Sequence, residues 1–514
     1  MNDYHFLLTP LQLRREYAFS FLIMPHATAM PRSLGLQALV LCGPGVNLET
    51  LAADEPKALL SIANRPMVWY AVDWCHRAGI SDVTLVTPCS LSKALQDGLA
   101  QNPYLSSLSP KPDILSPDGL DDDTPTGSIL RLPEVEAAIS GAFLVLPCDL
   151  VCEMPLEFLL DVWLIHQDPL QLSQALGHPQ PPEGSRFTSG LGVYYSTKAP
   201  HHIKGTETDF ITTAPLPKSS IPPPSSSLLP QVSQLVNAMT TDTLHDKVTA
   251  KASLPIRHGL LRAHPRTRLL TSHRDAHIYI FPHWLLAYAR ENPKLQTIGE
   301  DLVGWWAKAT WQRGLAEKLD FPHNTVPQIL AYIHPTSSPL IQRVDTPNQL
   351  LATSLYLASL PPSSDPSSPA NPYAHTHKRS PLATIPPNTS IADSTCLIGP
   401  FSTLGAQNTL KETVIGANCV TGQRVRLTKC VVMDGAVIED NAVLVECVVG
   451  ARAKVGRKCV LSECMVQGGF VVEEGTEGKK ETFVGGGGLD EGEVDLDLDG
   501  EEEDESAVDE VEGG

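Results

Sequence analysis

No stretch of the 514-residue chain comes near about 18 uninterrupted apolar residues, so no membrane-spanning helix is predicted. None of the 11 cysteines has a partner at the C-x-x-C spacing of a zinc site, and their odd number fits reduced thiols in the cytosol better than a disulfide framework. Basic residues are scarce, 38 against 58 acidic ones, and the imbalance is local: Val471 to Gly514 holds 18 acidic residues and two lysines, −16 of the net −20. The other 470 residues are near −4 and give no electrostatic footprint for DNA or RNA, so no direct nucleic-acid ligand is expected. Histidine is missing from Lys378 onward, which excludes acyl transfer by a histidine base in that part of the chain.

Proline is abundant, 44 residues against 36 glycines, so long proline-rich loops or linkers divide a chain whose length predicts about two to four domains. Residues 1–35 read as an N-terminal extension expected to be disordered, of which 1–23 are optional: Arg14-Arg15 and the apolar run Ala18 to Met24 imitate a secretory signal poorly, Glu16 intrudes, and Met24 or Met30 could be the start. From Leu36 short apolar runs alternate with amphipathic stretches. Gln37 to Leu41 reads as a strand, Pro66 to Ala78 as a helix stopped by Gly79, and Asp82 to Thr87 as the next strand, a βαβ unit that implies a parallel sheet. Further strands are predicted at Gly141 to Leu146, Gly190 to Ser196 and Asp275 to Phe281, and a closing helix at Asn348 to Ala358. This domain spans 36–359, with disordered insertions expected near 102–126 and 212–250, and a Pro/Ser linker follows over 360–384.

A strict repeat comes next. Val414–Cys430, Val431–Cys447 and Val448–Cys464 are consecutive 17-residue units with apolar anchors at Ile415, Thr421, Leu427 and their equivalents, spaced six, six and five. That is the period of a hexapeptide β-helix, and weaker anchors from Ile385 to Leu410 extend it to a span of 385–474, about five coils. Two residues before the anchors stand Cys419, Cys430, Cys447, Cys459 and Cys464, alternating with Ala and Val, so these thiols are expected as packed corner residues and not as a metal site. Residues 475–514 form an acidic tail, expected to be a solvated disordered segment or else a docking arm for a basic partner.

The candidate site lies after the first strand. Cys42-Gly43-Pro44-Gly45-Val46-Asn47 followed by Pro56-Lys57 resembles the signature loop of sugar-nucleotide pyrophosphorylases. That resemblance implies a nucleotide pocket in which Gly43 and Gly45 bring backbone N–H groups to the phosphates and Lys57 reaches them. It also implies Asp149, beyond the strand ending at Leu146, as the counterpart of the metal-binding aspartate, the bland alternative being a helix cap or turn residue. Asn47 stands where the family has arginine, and His277 in Asp275-Ala276-His277 stands where a glycine admits the sugar. No Glu-Lys-Pro anchor for the sugar phosphate is present, so the pocket reads as vestigial, with no catalytic residue, no cofactor and no metal expected.

The whole pattern is α/β: a Rossmann-like nucleotidyltransferase-like domain followed by a left-handed parallel β-helix. It resembles GDP-mannose pyrophosphorylases and their regulatory relatives, and also the gamma and epsilon subunits of eukaryotic translation initiation factor 2B. Ile62-Ala63-Asn64-Arg65-Pro66-Met67-Val68-Trp69-Tyr70, Leu146-Pro147-Cys148-Asp149-Leu150-Val151-Cys152 and Ile298-Gly299-Glu300-Asp301-Leu302-Val303 look like the fungal gamma type, from about Leu36 to Glu474. That resemblance implies a cytosolic, non-catalytic subunit of a guanine-nucleotide exchange factor. Its implied partners are the epsilon, alpha, beta and delta subunits and the GTPase initiation factor 2, with neither nucleic acid nor membrane. The alternative is a mannose-1-phosphate guanylyltransferase or its inactive regulatory subunit.

Overall fold

The computed structural model describes residues 35–485 except 54, 168–188, 199–202, 204–205, 218–226, 252, 254–256, 320, 322–325, 337–338 and 363–370. The expectations for residues 1–34 and for the tail beyond 485 therefore lie outside the described residues. Nine strands form the first domain's sheet: β1 (Gln37–Leu41), β2 (Val83–Val86), β3 (Asp113–Leu115), β4 (Phe143–Pro147), β5 (Gly190–Ser196), β6 (Asp209–Ala214), β7 (Val232–Thr240), β8 (Arg268–Phe281) and β9 (Ile329–His334). Their order is β3-β2-β1-β4-β8-β5-β9-β7-β6. The β3-β2-β1-β4 part is parallel, and β8 pairs antiparallel with β4, which makes β4 the last strand of that parallel run.

Alternation along β4 shows why the sheet is buried on both faces. Leu144 and Leu146 join Trp74 and Trp163 on one side, while Phe143 and Val145 join Phe281 and Trp306 on the other. Helices Met67–Arg77 and Leu156–Ile165 cover the first face, and Trp284–Glu291 and Gly304–Ala309 the second.

Three boundary expectations need correction. The stretch 102–126 is not an unstructured insertion: Asn102 caps a short helix that opens with Pro103, and Asp113–Leu115 adds an edge strand beside β2. Within 212–250 lie half of β6, all of β7 and most of the helix Thr241–Lys251, with 218–226 outside the described residues. Pro/Ser composition hid these elements because their short apolar runs are separated by turn residues. The segment called a linker also makes specific contacts. Tyr373 is fully buried against Tyr70, and the Arg65 guanidinium donates to the carbonyls of Tyr373 and Ala374.

The repeat forms a parallel β-helix, one coil pairing with the next at a 17-residue offset, as in Arg426↔Val443 and Val443↔Val460. Its period has a backbone cause. From Phe401 to Lys480 one residue in each corner takes a left-handed φ, at positions spaced six, five and six in rotation, most of them not glycine. Such a conformation costs roughly 1 kcal/mol for a side-chain-bearing residue. An inter-coil bond offsets it, as when Asn418 N–H donates to Pro400 O and Asn441 N–H to Gln423 O.

Both ends of the β-helix run further than 385–474. The first coil begins with Arg379 bridging Ile398 and Thr384 bridging Thr403, an offset of 19 that absorbs two extra residues before Ile398. The last coil pairs Met465↔Thr482 and Val466↔Phe483, so 475–485 belongs to the β-helix and not to the tail. Gly478 holds the anchor position there, which is why the apolar pattern fades.

The domains pack through one outward column of the β-helix. Leu397, Val414, Val431, Val448 and Met465, each 17 residues apart, join Leu350, Leu357, Tyr70 and Leu48 of the α/β domain in one apolar cluster.

Candidate functional site

The site is built at the carboxyl ends of β1 and β4, where parallel α/β sheets present ligands with loop and strand-end groups. After β1 the chain turns through Gly45, whose φ of 76° caps the short helix Val46–Leu48. A Cβ on Gly45 would meet Lys57 Cδ at 2.4 Å, so the glycine is needed for the lysine stem to cross the loop. Gly43 is exposed and no atom crowds it.

Lys57 Nζ is 2.6 Å from Asp149 Oδ2, and Asp149 Oδ1 accepts from Arg343 Nε at 3.4 Å. Arg343 is delivered by a two-stranded pairing, Leu150–Cys152 with Ile341–Arg343, and Asp149 O accepts from Val344 N–H at 2.8 Å. Burial alone would raise the Asp149 pKa, but Lys57 and Arg343 outweigh it and hold the carboxyl well below the usual carboxylate range. Burial likewise opposes the charge on Lys57, and Asp149 reverses that effect and raises its pKa.

The network continues outward from the expected residues. Arg343 reaches Asp345 at 3.5 Å, and Asp345 receives both ends of the Arg274 guanidinium at 3.1 and 2.6 Å. His277 sits at φ 51°, a conformation glycine takes readily, and its Nε2 lies 3.4 Å from Arg343 Nη1. Burial, then Arg343, push its pKa well below the ordinary histidine value, which leaves a neutral ring. Beside it, Asp275 accepts from the His277 N–H at 2.8 Å and from the Tyr279 hydroxyl, while Asp209 accepts from the Asp275 N–H at 2.6 Å. Burial and then the Asp209 charge raise Asp275 to about 7, and burial raises Asp209 to about 6.

Gly45, Lys57 and Asp149 are thus brought together, with Gly43 on the open side of the same loop. Arg343, Asp345, Arg274 and Asp209 were missed. The one available signal was Arg343-Val344-Asp345 directly before Thr346-Pro347-Asn348-Gln349, which forms a capping box at the start of helix Pro347–Ser359. Chemically, both oxygens of Asp149 and the ammonium of Lys57 are engaged within the protein. Among the described residues no group of three His, Cys, Asp or Glu side chains is arranged to hold a metal ion.

Fold and site together define a nucleotidyltransferase-like α/β domain carrying a hexapeptide-repeat β-helix. Residues 381–485 match the GMPPB C-terminal domain family. The chain is similar to translation initiation factor eIF2B subunit gamma of Schizosaccharomyces pombe, 26% identical over 283 residues. That match spans 54% of this chain and 52% of the relative, about half the length of each.

Proposed function

We propose that this chain is a non-catalytic subunit of the guanine-nucleotide exchange factor for translation initiation factor 2, acting with an epsilon-type subunit and with alpha, beta and delta subunits. The observation that carries this reading is the closed Lys57–Asp149–Arg343 network, with His277 in a glycine-type backbone position beside it. A phosphate or a metal ion would have to displace these internal partners, while the scaffold around them is complete. A retained scaffold with an internally neutralised pocket fits selection for surface. Exchange needs no bond chemistry, only a surface that binds the nucleotide-free GTPase more tightly than its GDP form. The vestigial pocket of Gly43, Gly45, Lys57 and Asp149 is assigned a structural role in this reading. Similarity to the gamma subunit supports it.

The match of 381–485 to the GMPPB C-terminal domain favours a second reading, a pyrophosphorylase or its regulatory subunit. Affinity isolation from cell extract separates the two. An epsilon-type partner is expected, and the recovered pair should speed release of labelled GDP from initiation factor 2 while this chain alone does not. Recovery with a pyrophosphorylase, or pyrophosphate release from GTP and mannose 1-phosphate at a turnover of about 1 s⁻¹, would overturn the proposal.

A further inference from the structure

A cavity of about 380 Å³ lies away from the strand-end site, between the far edge of the sheet and helices Gly304–Ala309 and Arg313–Lys318. Its size falls in the range of small-molecule sites. The floor is irregular for a stated reason: the pairing of β6 with β7 slips between Leu235 and Asn237, a β-bulge of the kind that re-aims a side chain. At the bulge the Val236 carbonyl accepts from the Trp311 indole N–H at 3.1 Å. The neighbouring Asn237 lines the same cavity, while its Oδ1 is turned into the protein and meets no donor.

The walls combine two kinds of group, indoles and cations. Trp305 and Trp311 both line it, and Trp305 is 37% exposed. Lys308 lines it too, its ammonium in no ion pair or hydrogen bond among the described residues, with Lys247 and Arg257 beside it. Burial and then Lys247 lower the Lys308 pKa, so this cation gains from a nearby anion. Glu300 and Asp301 offset part of this from a distance, but neither pairs with Lys308: Glu300 accepts from Thr240 and Thr243, and Asp301 from the N–H groups of Gln296 and Thr297.

We infer that this cavity binds a small aromatic anion of about the size of a nucleoside monophosphate. Its ring lies against the indoles, and the anionic end meets Lys308, Lys247 and Arg257. Water filling the cavity would account for neither the indoles nor the unpaired lysine.

The test is calorimetric titration of the full chain with GMP and AMP, with ribose 5-phosphate and guanosine as the ring-free and charge-free controls. Saturable binding of at least one nucleotide is expected, with both controls weaker by about tenfold or more. Trp305→Ala and Lys308→Met, both at side chains in contact with solvent, should each weaken that binding by about tenfold while circular dichroism stays unchanged. Absence of binding at millimolar nucleotide, ribose 5-phosphate binding as well as GMP, or full affinity in both variants would overturn the assignment. Because neither variant touches Lys57 or Asp149, full affinity in both places any binding elsewhere, and the reading of the strand-end pocket is left untouched.

Discussion

Single side chains of this protein are governed by what surrounds their charge. Lys57 and Asp149 form a buried pair at 2.6 Å, and removing one partner of such a pair costs about 3–5 kcal/mol because the other charge stays buried. Lys57→Met should therefore lower stability by roughly that amount in urea unfolding, less whatever Arg343 supplies to Asp149 from 3.4 Å. If Lys57 pointed at solvent as a poised phosphate ligand, the same change would leave the transition where it was. Asp275 has the opposite sign. Its pKa is raised from 3.8 to about 7 by burial and Asp209, so the folded state holds the proton more tightly than the unfolded chain. Its contribution to stability is complete below pH 3.8 and is lost as pH rises through about 7. Asp275→Asn mimics the protonated form, keeping an acceptor for His277 N–H and placing an amide at Tyr279. Wild-type stability should fall relative to this variant between about pH 5 and pH 8, by on the order of 2 kcal/mol. Parallel pH curves for the two proteins would refute it. Lys57 and Asp149 were legible through their resemblance to the signature loop and strand-end aspartate of the pyrophosphorylases, but nothing in the sequence set Arg343, 194 residues further on, against Asp149.

Secondary-structure elements were legible where spacing alone decides them. The β-helix is the clearest case, because left-handed corners every five or six residues force inward anchors into the same rhythm, and the sequence must repeat to follow. Its ends were not legible: Gly478 at an anchor and the two-residue surplus before Ile398 both break the rhythm without breaking the coil. The sheet was harder to read at β6 and β7, whose register depends on β9 and β8, strands far away in the chain. The corner cysteines acquire a role from the coil. Cys419 Sγ donates to Met433 O, Cys447 Sγ to Leu461 O and Cys459 Sγ to Glu473 O, while Ser402 and Thr413 hydroxyls bond to the carbonyls 14 residues ahead in the same way. Cys419, Cys430, Cys447, Cys459 and Cys464 are all buried, whereas Cys89 is exposed. A charged thiol reagent should therefore label Cys89 within minutes and leave these five unmodified until denaturant is added. Rapid native labelling of any of the five would show that the coil opens or that its corners are not packed.

The molecule as a whole holds its two domains in one arrangement through a column that the coil does not need for itself. In each coil the residue after a column member faces inward: Ile415, Val432 and Val449 fill the β-helix core, while Val414, Val431 and Val448 join the cluster with helix Pro347–Ser359. A charge at Val431 thus attacks the domain contact and spares both cores. An aspartate there would be an unpaired buried carboxylate, which a fold relieves by separating the surfaces if each domain is stable alone. Val431→Asp is expected to split a single calorimetric transition into two and to expose residues 371–378 to protease, with Tyr373 losing its protection. If the domain arrangement is what the exchange partner reads, the variant should also lose support of GDP release in the reconstituted pair while binding the epsilon-type subunit through its intact α/β domain. One unshifted transition with an uncleaved segment would mean that the column contributes little to holding the domains together. Two transitions with undiminished exchange would place the functional surface within one domain.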